Sequence, residues 1–258
     1  YQQLVKGAAV DFVTSGTSFN QTLSADYTLL RRQQDKLAIS SSLTRKESKN
    51  YLEDVFLDTS SRVLYLMDLG AVYTRPLARG TFRGVLKWYR SVDWFDATTK
   101  VVNAEDDFQF DKYSLDLSIN SAIDALGLPL FYTSSIHLFY APEEIITSEA
   151  LSIGGRYTVR GVEGESLFGY RGGYWRNEFT HTTYFQNSGR LDWFIGLDAG
   201  ISDTPWQEDK SSDWVAGGAT GFRYMNGNFS MDAAWSQAIQ TPDYLTGDKH
   251  ALYAAVQI

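Results

Sequence analysis

The sequence predicts an all-β chain, a transmembrane antiparallel β-barrel with one long loop folded into its lumen. Three observations carry this reading. Long segments alternate apolar and polar residues with period two, which turns one face of each strand to grease and the other to water. Aromatic residues recur at the ends of the apolar faces, at Tyr27, Tyr73, Trp88, Tyr113, Tyr132, Tyr140, Trp175, Trp193 and Trp235, as an interfacial girdle requires. Connections alternate between short and long, as they do when short turns lie on one rim and long loops on the other.

The strands follow in order. In the second, Phe19, Leu23, Ala25, Tyr27 and Leu29 alternate with Asn20, Thr22, Ser24, Asp26 and Thr28. Val63, Tyr65, Met67, Leu69, Ala71 and Tyr73 form the next clear apolar face, with Asp68 and Gly70 turned the other way. Phe82, Gly84, Leu86 and Trp88 alternate with Arg83, Val85, Lys87 and Tyr89, and Tyr113, Leu115, Leu117 and Ile119 alternate with Ser114, Asp116, Ser118 and Asn120. Later, Leu191, Trp193, Ile195, Leu197 and Ala199 oppose Asp192, Phe194, Gly196, Asp198 and Gly200, and Phe229, Met231, Ala233, Trp235 and Ile239 oppose Ser230, Asp232, Ala234 and Ser236. About twelve strands are expected, near 3–13, 17–30, 36–46, 61–74, 81–92, 111–121, 128–140, 173–186, 190–202, 212–225, 228–240 and 249–258. Most exceed the ~5–6 residues of an ordinary strand and match the ~9–11 that cross a bilayer tilted. A soluble sandwich gives the same alternation, but Asp26, Asp68, Lys87, Asp116, Glu178, Asp198 and Asp232 on the wet faces would be costly in a dry core.

Short connections are expected at 31–36, 77–80 and 122–127, and long ones at 46–60, 92–112 and 140–172. The acidic run Asn103-Ala104-Glu105-Asp106-Asp107 reads as a solvated exterior surface.

Composition narrows the function classes. The 258 residues suit one large β domain, 1–258, and carry no Cys, which excludes a disulfide framework, a thiolate metal site and a cysteine nucleophile. A formal net charge of −8 with no basic stripe argues against a nucleic-acid partner. No apolar run approaches the ~20 residues of a membrane helix. Tyr1-Gln2-Gln3-Leu4-Val5-Lys6 lacks the layout of a secretory leader, so a processed or internal start is expected.

The chemistry concentrates between Leu151 and Phe179. Gly154 and Gly155 permit tight turns before Arg156, and Gly161 lets the backbone bend just after Arg160. Gly164, Gly169, Gly172 and Gly173 keep the rest of the loop thin. A loop of about thirty residues is functional or disordered, and the apolar Val159, Val162, Leu167, Phe168 and Tyr170 argue against disorder. Two strands beyond it offer acids on their wet faces, Glu178 and Asp198. With the loop inside the lumen, Arg160 can meet Asp198, Glu178 or both, and Gly196 leaves room for its approach. The alternative is that Arg160 is an ordinary solvated loop arginine.

Gly154-Gly155-Arg156-Tyr157-Thr158-Val159-Arg160-Gly161, followed by Gly172-Gly173-Tyr174-Trp175-Arg176-Asn177-Glu178, resembles the signature of two-partner secretion transporters, the TpsB proteins. These belong to the superfamily that includes the barrel-assembly proteins of the bacterial outer membrane. The resemblance covers about residues 151–200 and implies a sixteen-stranded barrel, of which this chain supplies about twelve. It also implies upstream POTRA domains and first strands absent here. The lumen loop would bear a Val159-Arg160-Gly161-Val162 tip, with Val162 where an aromatic is usual. The resemblance further implies that Arg160 contacts the aspartate of a Gly196-Leu197-Asp198 strand motif, and that Glu178 fills the acidic position of the strand after the loop. The chain closes on Val256-Gln257-Ile258, without the terminal aromatic typical of such barrels.

The implied function is a pore passing an unfolded TpsA-type exoprotein (an adhesin, haemolysin or contact-dependent inhibition toxin) from periplasm to surface. The expected partners are that exoprotein and outer-membrane lipid, with the barrel a monomer, no cofactor and no metal. His137, His181 and His250 are scattered, and no nucleophile elbow or nucleotide loop occurs, so an enzyme is not expected. Asp106 with Asp107, or Glu143 with Glu144, are adjacent acids that point apart rather than forming a hydrolytic pair. The rival readings are an outer-membrane assembly and insertion factor, a passive porin-type channel or, more distantly, a soluble β-sandwich binding module.

Overall fold

The computed structural model describes residues 2–5, 12–58, 60–98, 109–125, 127–186, 189–204 and 211–257. Among these the regular structure is β1 (Gln2–Val5), β2 (Phe12–Arg31), β3 (Lys36–Leu52), β4 (Val55–Phe56), β5 (Arg62–Leu77), β6 (Gly80–Val92), β7 (Asp111–Ala125) and β8 (Leu128–Tyr140). It continues with β9 (Leu151–Ile153), β10 (Leu167–Gly169), β11 (Arg171–Phe185), β12 (Gly189–Asp203), β13 (Ser212–Asn226), β14 (Phe229–Gln240) and β15 (His250–Gln257). Twelve of these strands form one continuous antiparallel path, β1-β2-β3-β5-β6-β7-β8-β11-β12-β13-β14-β15, with β4 folded back on β3 and β9 paired with β10. Sequential neighbours pair throughout, which is the up-and-down wall of a membrane barrel. No helix among the described residues is long and apolar enough to cross a membrane.

The wall is inside-out relative to a soluble sheet. Along β12, Trp193, Ile195, Leu197 and Ile201 are exposed, while Asp192, Gly196, Asp198 and Ser202 are buried. Leu23 is 78% exposed and Ile195 62%, far from where a soluble protein puts large aliphatic side chains. Polar residues on the opposite face bond to one another instead. Lys87 Nζ lies 2.9 Å from Asp68, which also accepts the Ser42 hydroxyl, and Thr182 Oγ1 donates to Asp192 at 2.7 Å. His137 meets Asp116 at 2.6 Å and stacks on Tyr174. Hydrocarbon on one side and a polar interior on the other is the arrangement that this alternation builds.

The rims differ as expected. β2–β3, β5–β6 and β13–β14 are joined by two to four residues, and Gly227 at φ 57° supplies the left-handed position of the two-residue β13–β14 turn. The long connections, including 141–170, share the other rim, which by this asymmetry is extracellular.

Three expectations need correction. The segment 3–13 is not one strand: β1 ends at Val5, β2 already begins at Phe12, and the connection at 6–11 lies outside the described residues. Thr14 to Gly16 reads as a turn because it is small and polar, yet ladder pairing to β3 keeps it extended. The stretch 46–60 is not one long loop. Strand β3 continues to Leu52, where the charged run Arg45-Lys46-Glu47-Ser48-Lys49 pairs with itself along one face, Glu47 accepting from Arg45 at 2.6 Å and from Lys49 at 2.5 Å. Glu53 and Asp54, both at positive φ, then turn the chain into β4. Gly172 and Gly173 lie within β11, not in the loop. The acidic run at 103–107 lies within 99–108, outside the described residues.

An arginine at Ile195, on the outward face midway along β12, is expected to cost about 2–4 kcal/mol of barrel stability, whereas Ser118→Arg on the inward face stays within about 1 kcal/mol. Denaturant unfolding of the whole protein from lipid vesicles measures both.

Candidate functional site

The loop between β8 and β11 leaves and rejoins the wall at one point, where the Ala141 N–H donates to the Tyr170 carbonyl at 2.7 Å. It folds back over the inward face of the sheet. Ile145, Leu151, Ile153, Val159, Val162 and Leu167 from the loop are buried together with Leu66, Phe139 and Val215 from the wall and with Phe110 and Leu245 from neighbouring connections. Sequence reading missed the inward aliphatics of this cluster. Leu64 and Leu66 interrupt the polar face of β5, and Leu66 gives the loop an apolar seat. The β9–β10 pair stiffens the loop shaft.

The tip is a self-bonded turn. Thr158 Oγ1 donates to the Gly154 carbonyl and accepts the Gly154 N–H, both at 2.7 Å, and the Gly155 N–H donates to the Val162 carbonyl. Gly161 closes the turn at φ 91°, a left-handed conformation that favours glycine, with its Cα against the Gln237–Ala238 backbone of β14. This geometry pushes Arg160 toward β11 and β12.

Arg160 spends nearly every donor. Nε and Nη2 grip Asp198 as a fork at 2.6 and 2.8 Å, and its backbone N–H reaches the same carboxylate at 3.1 Å. Nη1 donates to Glu178 at 2.8 Å and Nη2 to the Asn177 carbonyl at 2.9 Å. The Arg160 side chain is 6% exposed and that of Asp198 0%. Burial works against the guanidinium charge, but Asp198 and Glu178 outweigh it and hold Arg160 above the ordinary arginine range. Two wall positions must lack side chains: a Cβ on Gly196 would sit 2.0 Å from Arg160 Nη2, and one on Gly217 would sit 1.9 Å from the Arg160 carbonyl.

Three further contacts were not foreseen. Arg223 on β13 takes the other oxygen of Glu178 at 2.8 Å, so that acid bridges two guanidiniums. Arg223 shares the inward alternation of β13 with Gly217, and that period was the available signal. Arg156 pairs with Asp232 at 2.7 Å, and Arg176 donates to the Tyr157 carbonyl at 2.7 Å. At the other end of the loop, Glu149 in a single 3₁₀ turn (Thr147–Glu149) bridges Lys46 of β3 and Lys112 of β7, each at 2.7 Å. A lone loop glutamate gives no sequence signal for this. Burial pushes the Glu149 carboxyl up, but Lys112 and Lys46 reverse that and hold it below the usual carboxylate range.

Among the described residues no group of three or more His, Asp or Glu is placed to hold a metal ion. His181 faces the Pro129 carbonyl, His250 is exposed, and Glu143 and Glu144 lie exposed on the loop. The site is a set of charge pairs that joins the loop to the wall.

Fold and site together define the wall of an outer-membrane β-barrel, with a loop of its own chain docked on the inward face of that wall through a buried arginine. The chain belongs to the ShlB/FhaC/HecB family of haemolysin secretion/activation proteins, whose family model matches residues 1–224. It is 26% identical over 238 residues to the outer membrane transporter CdiB of Dickeya dadantii, covering 91% of this chain and 42% of that protein. It is 26% identical over 181 residues to the haemolysin transporter protein HpmB of Proteus mirabilis, covering 69% of this chain and 32% of that one. The chain thus spans less than half the length of these relatives. The solved structure of CdiB from Escherichia coli superposes on the whole chain with a TM-score of 0.89 at 25% identity, over 48% of its own length. CdiB from Acinetobacter baumannii shares the fold, with a TM-score of 0.84 at 21% identity and 45% of that chain covered.

Removing Asp198 as Asp198→Ala leaves a buried guanidinium short of its main partner and is expected to weaken loop docking by about 3–5 kcal/mol. A spin label at exposed Tyr157, read by its mobility in the folded transporter, reports the release. Because the Glu149 carboxyl titrates below the ordinary glutamate value of about 4.3, its contribution is complete above that value and is lost as pH falls through the lower folded value. The same label should show docking flat from about pH 8 to 5 and loosening below about pH 4.

Proposed function

We propose that this chain is the C-terminal barrel portion of a two-partner secretion transporter that passes an unfolded exoprotein from periplasm to cell surface. The observation that carries the reading is the Arg160 fork on Asp198, shared with Glu178, which seats a 30-residue loop inside the barrel wall. A passive diffusion channel has no need of so many bonds on a loop that occupies its interior. The relatives named as CdiB and haemolysin transporters support a secreted partner of the same kind: an adhesin, a haemolysin or a contact-dependent inhibition toxin.

On this reading residues 1–258 are barrel wall and loop, and POTRA domains that receive the exoprotein precede them in the whole protein. The barrel acts as a monomer in outer-membrane lipid. Arg160, Asp198 and Glu178 are mechanical residues, and Val159, Gly161 and Val162 shape the tip that presents the arginine. Transport uses no nucleotide; folding of the exported chain outside the cell supplies the driving free energy. An assembly factor for other barrels would share this loop, and would show its difference as failed membrane-protein insertion rather than failed export.

Arg160→Ala is expected to cut exoprotein export at least about tenfold, a barrier change of about 1.4 kcal/mol, while barrel insertion stays near normal. Immunoblotting of secreted exoprotein beside heat-dependent gel mobility of the barrel measures both. Unchanged export in Arg160→Ala and in Asp198→Ala would sink the fastener reading.

A further inference from the structure

The outward wall carries one feature that the interior site does not explain. On the outer face, register aligns three rows across β8, β11, β12 and β13. The middle row runs Leu138, Gly173, Ile201, Trp214, and the row below it runs Ile136, Trp175, Ala199, Ala216. Gly173 leaves a gap between Leu138 and Ile201, and Ala199 extends that gap diagonally. The result is a trough of about 550 Å³ floored by Gly173 and Ala199. That is the size of an ordinary small-ligand site, ~300–1,000 Å³.

The trough is rigid. A Cβ on Gly173 would lie 2.3 Å from the His137 carbonyl, so the floor admits no side chain. The Trp175 indole N–H donates to Ser134 Oγ at 2.8 Å, which holds that ring upright as a wall, and Trp214 stands on the far side. Large exposed apolar side chains cover much of the outward face; here that face is recessed.

The row above carries a cation just beyond the end of the trough. Arg171 lies two residues from Gly173 on the same face, toward the rim that bears the long loops. Its guanidinium sits 5.4 Å over the Tyr140 ring, with Nε 3.5 Å from the Ala141 carbonyl and Nη2 3.0 Å from the Pro142 carbonyl. These partners are neutral, so the charge is oriented but not cancelled, and the Nη1 donors are left for a ligand. Asp203, the acid one strand over, turns Oδ1 to the backbone N–H groups of Tyr170 and Arg171 instead.

A greasy trough in the bilayer with a fixed cation at its extracellular end matches an acyl chain joined to a phosphate. We propose that this groove is a specific binding site for the phosphorylated, multiply acylated glycolipid of the outer leaflet, lipid A. One acyl chain lies along Gly173 and Ala199, and a phosphate meets Arg171. Because β11 carries Glu178 and β12 carries Asp198 on the opposite face, the lipid would brace the two strands that hold the loop arginine.

The test uses the full-length transporter in detergent, stripped of lipid and offered three probes: diphosphorylated lipid A, dephosphorylated lipid A and phosphatidylethanolamine. Native mass spectrometry reads retention. Wild-type protein should retain diphosphorylated lipid A about tenfold better than either other probe. Arg171→Gln should abolish that preference, and Arg171→Lys should restore part of it. Ala199→Trp, an outward change that fills the trough, should lower retention of lipid A about tenfold. Gel mobility confirms that each barrel is folded, and the exposed rim change Arg171→Gln keeps the test decisive if Ala199→Trp does not fold. Equal retention of the three probes by wild type, or retention of lipid A unchanged in Arg171→Gln, would overturn the proposal.

Discussion

The structure is organised around a single buried cation. Arg160 sits on the inward face of the wall with its guanidinium shared between Asp198 and Glu178. A charge withdrawn from water is tolerable only when it is paired and most of its donors are met, and the surroundings follow from that requirement. The Asn177 carbonyl takes one of the two guanidinium hydrogens that the acids leave over, and Arg223 balances the second oxygen of Glu178. Gly196 and Gly217 withdraw their side chains so that the guanidinium and its backbone can lie flat on β12 and β13.

The seat has more than one attachment. Glu149 joins the near end of the loop to β3 and β7, whereas Arg160 and Arg156 join the tip to β11, β12 and β14. Between them, Leu151, Ile153, Val159, Val162 and Leu167 are withdrawn from solvent. Clearing the interior by moving the loop means parting two charge clusters and wetting this apolar surface in one event. That is not a thermal fluctuation of a surface loop. On the export function proposed above, a passing polypeptide would have to replace some of these contacts or thread beside them.

Much of the wall was legible in the sequence because a strand's side chains alternate by geometry, whatever surrounds them. Trp193, Ile195 and Leu197 against Asp192, Gly196 and Asp198 read as two faces before any coordinate is known. Local composition misled where tertiary pairing overrode it. The polar run Thr14 to Gly16 and the charged run after Lys46 both read as connections, and both are strand because a neighbour supplies the ladder. Leu64 and Leu66 fell on the face expected to be polar, since nothing in the alternation of β5 says what will be laid against it.

The sequence by itself determined the strand rhythm, the two faces and the identity of an arginine flanked by turn-forming glycine. Those are properties of neighbours along the chain. Which acid that arginine meets, that Glu149 reaches Lys46 across 103 residues, and that Gly217 must be bare for the loop to lie down were decided only by tertiary structure. These contacts join residues far apart in the chain, and burial and charge balance exist only once the wall and loop enclose a common space.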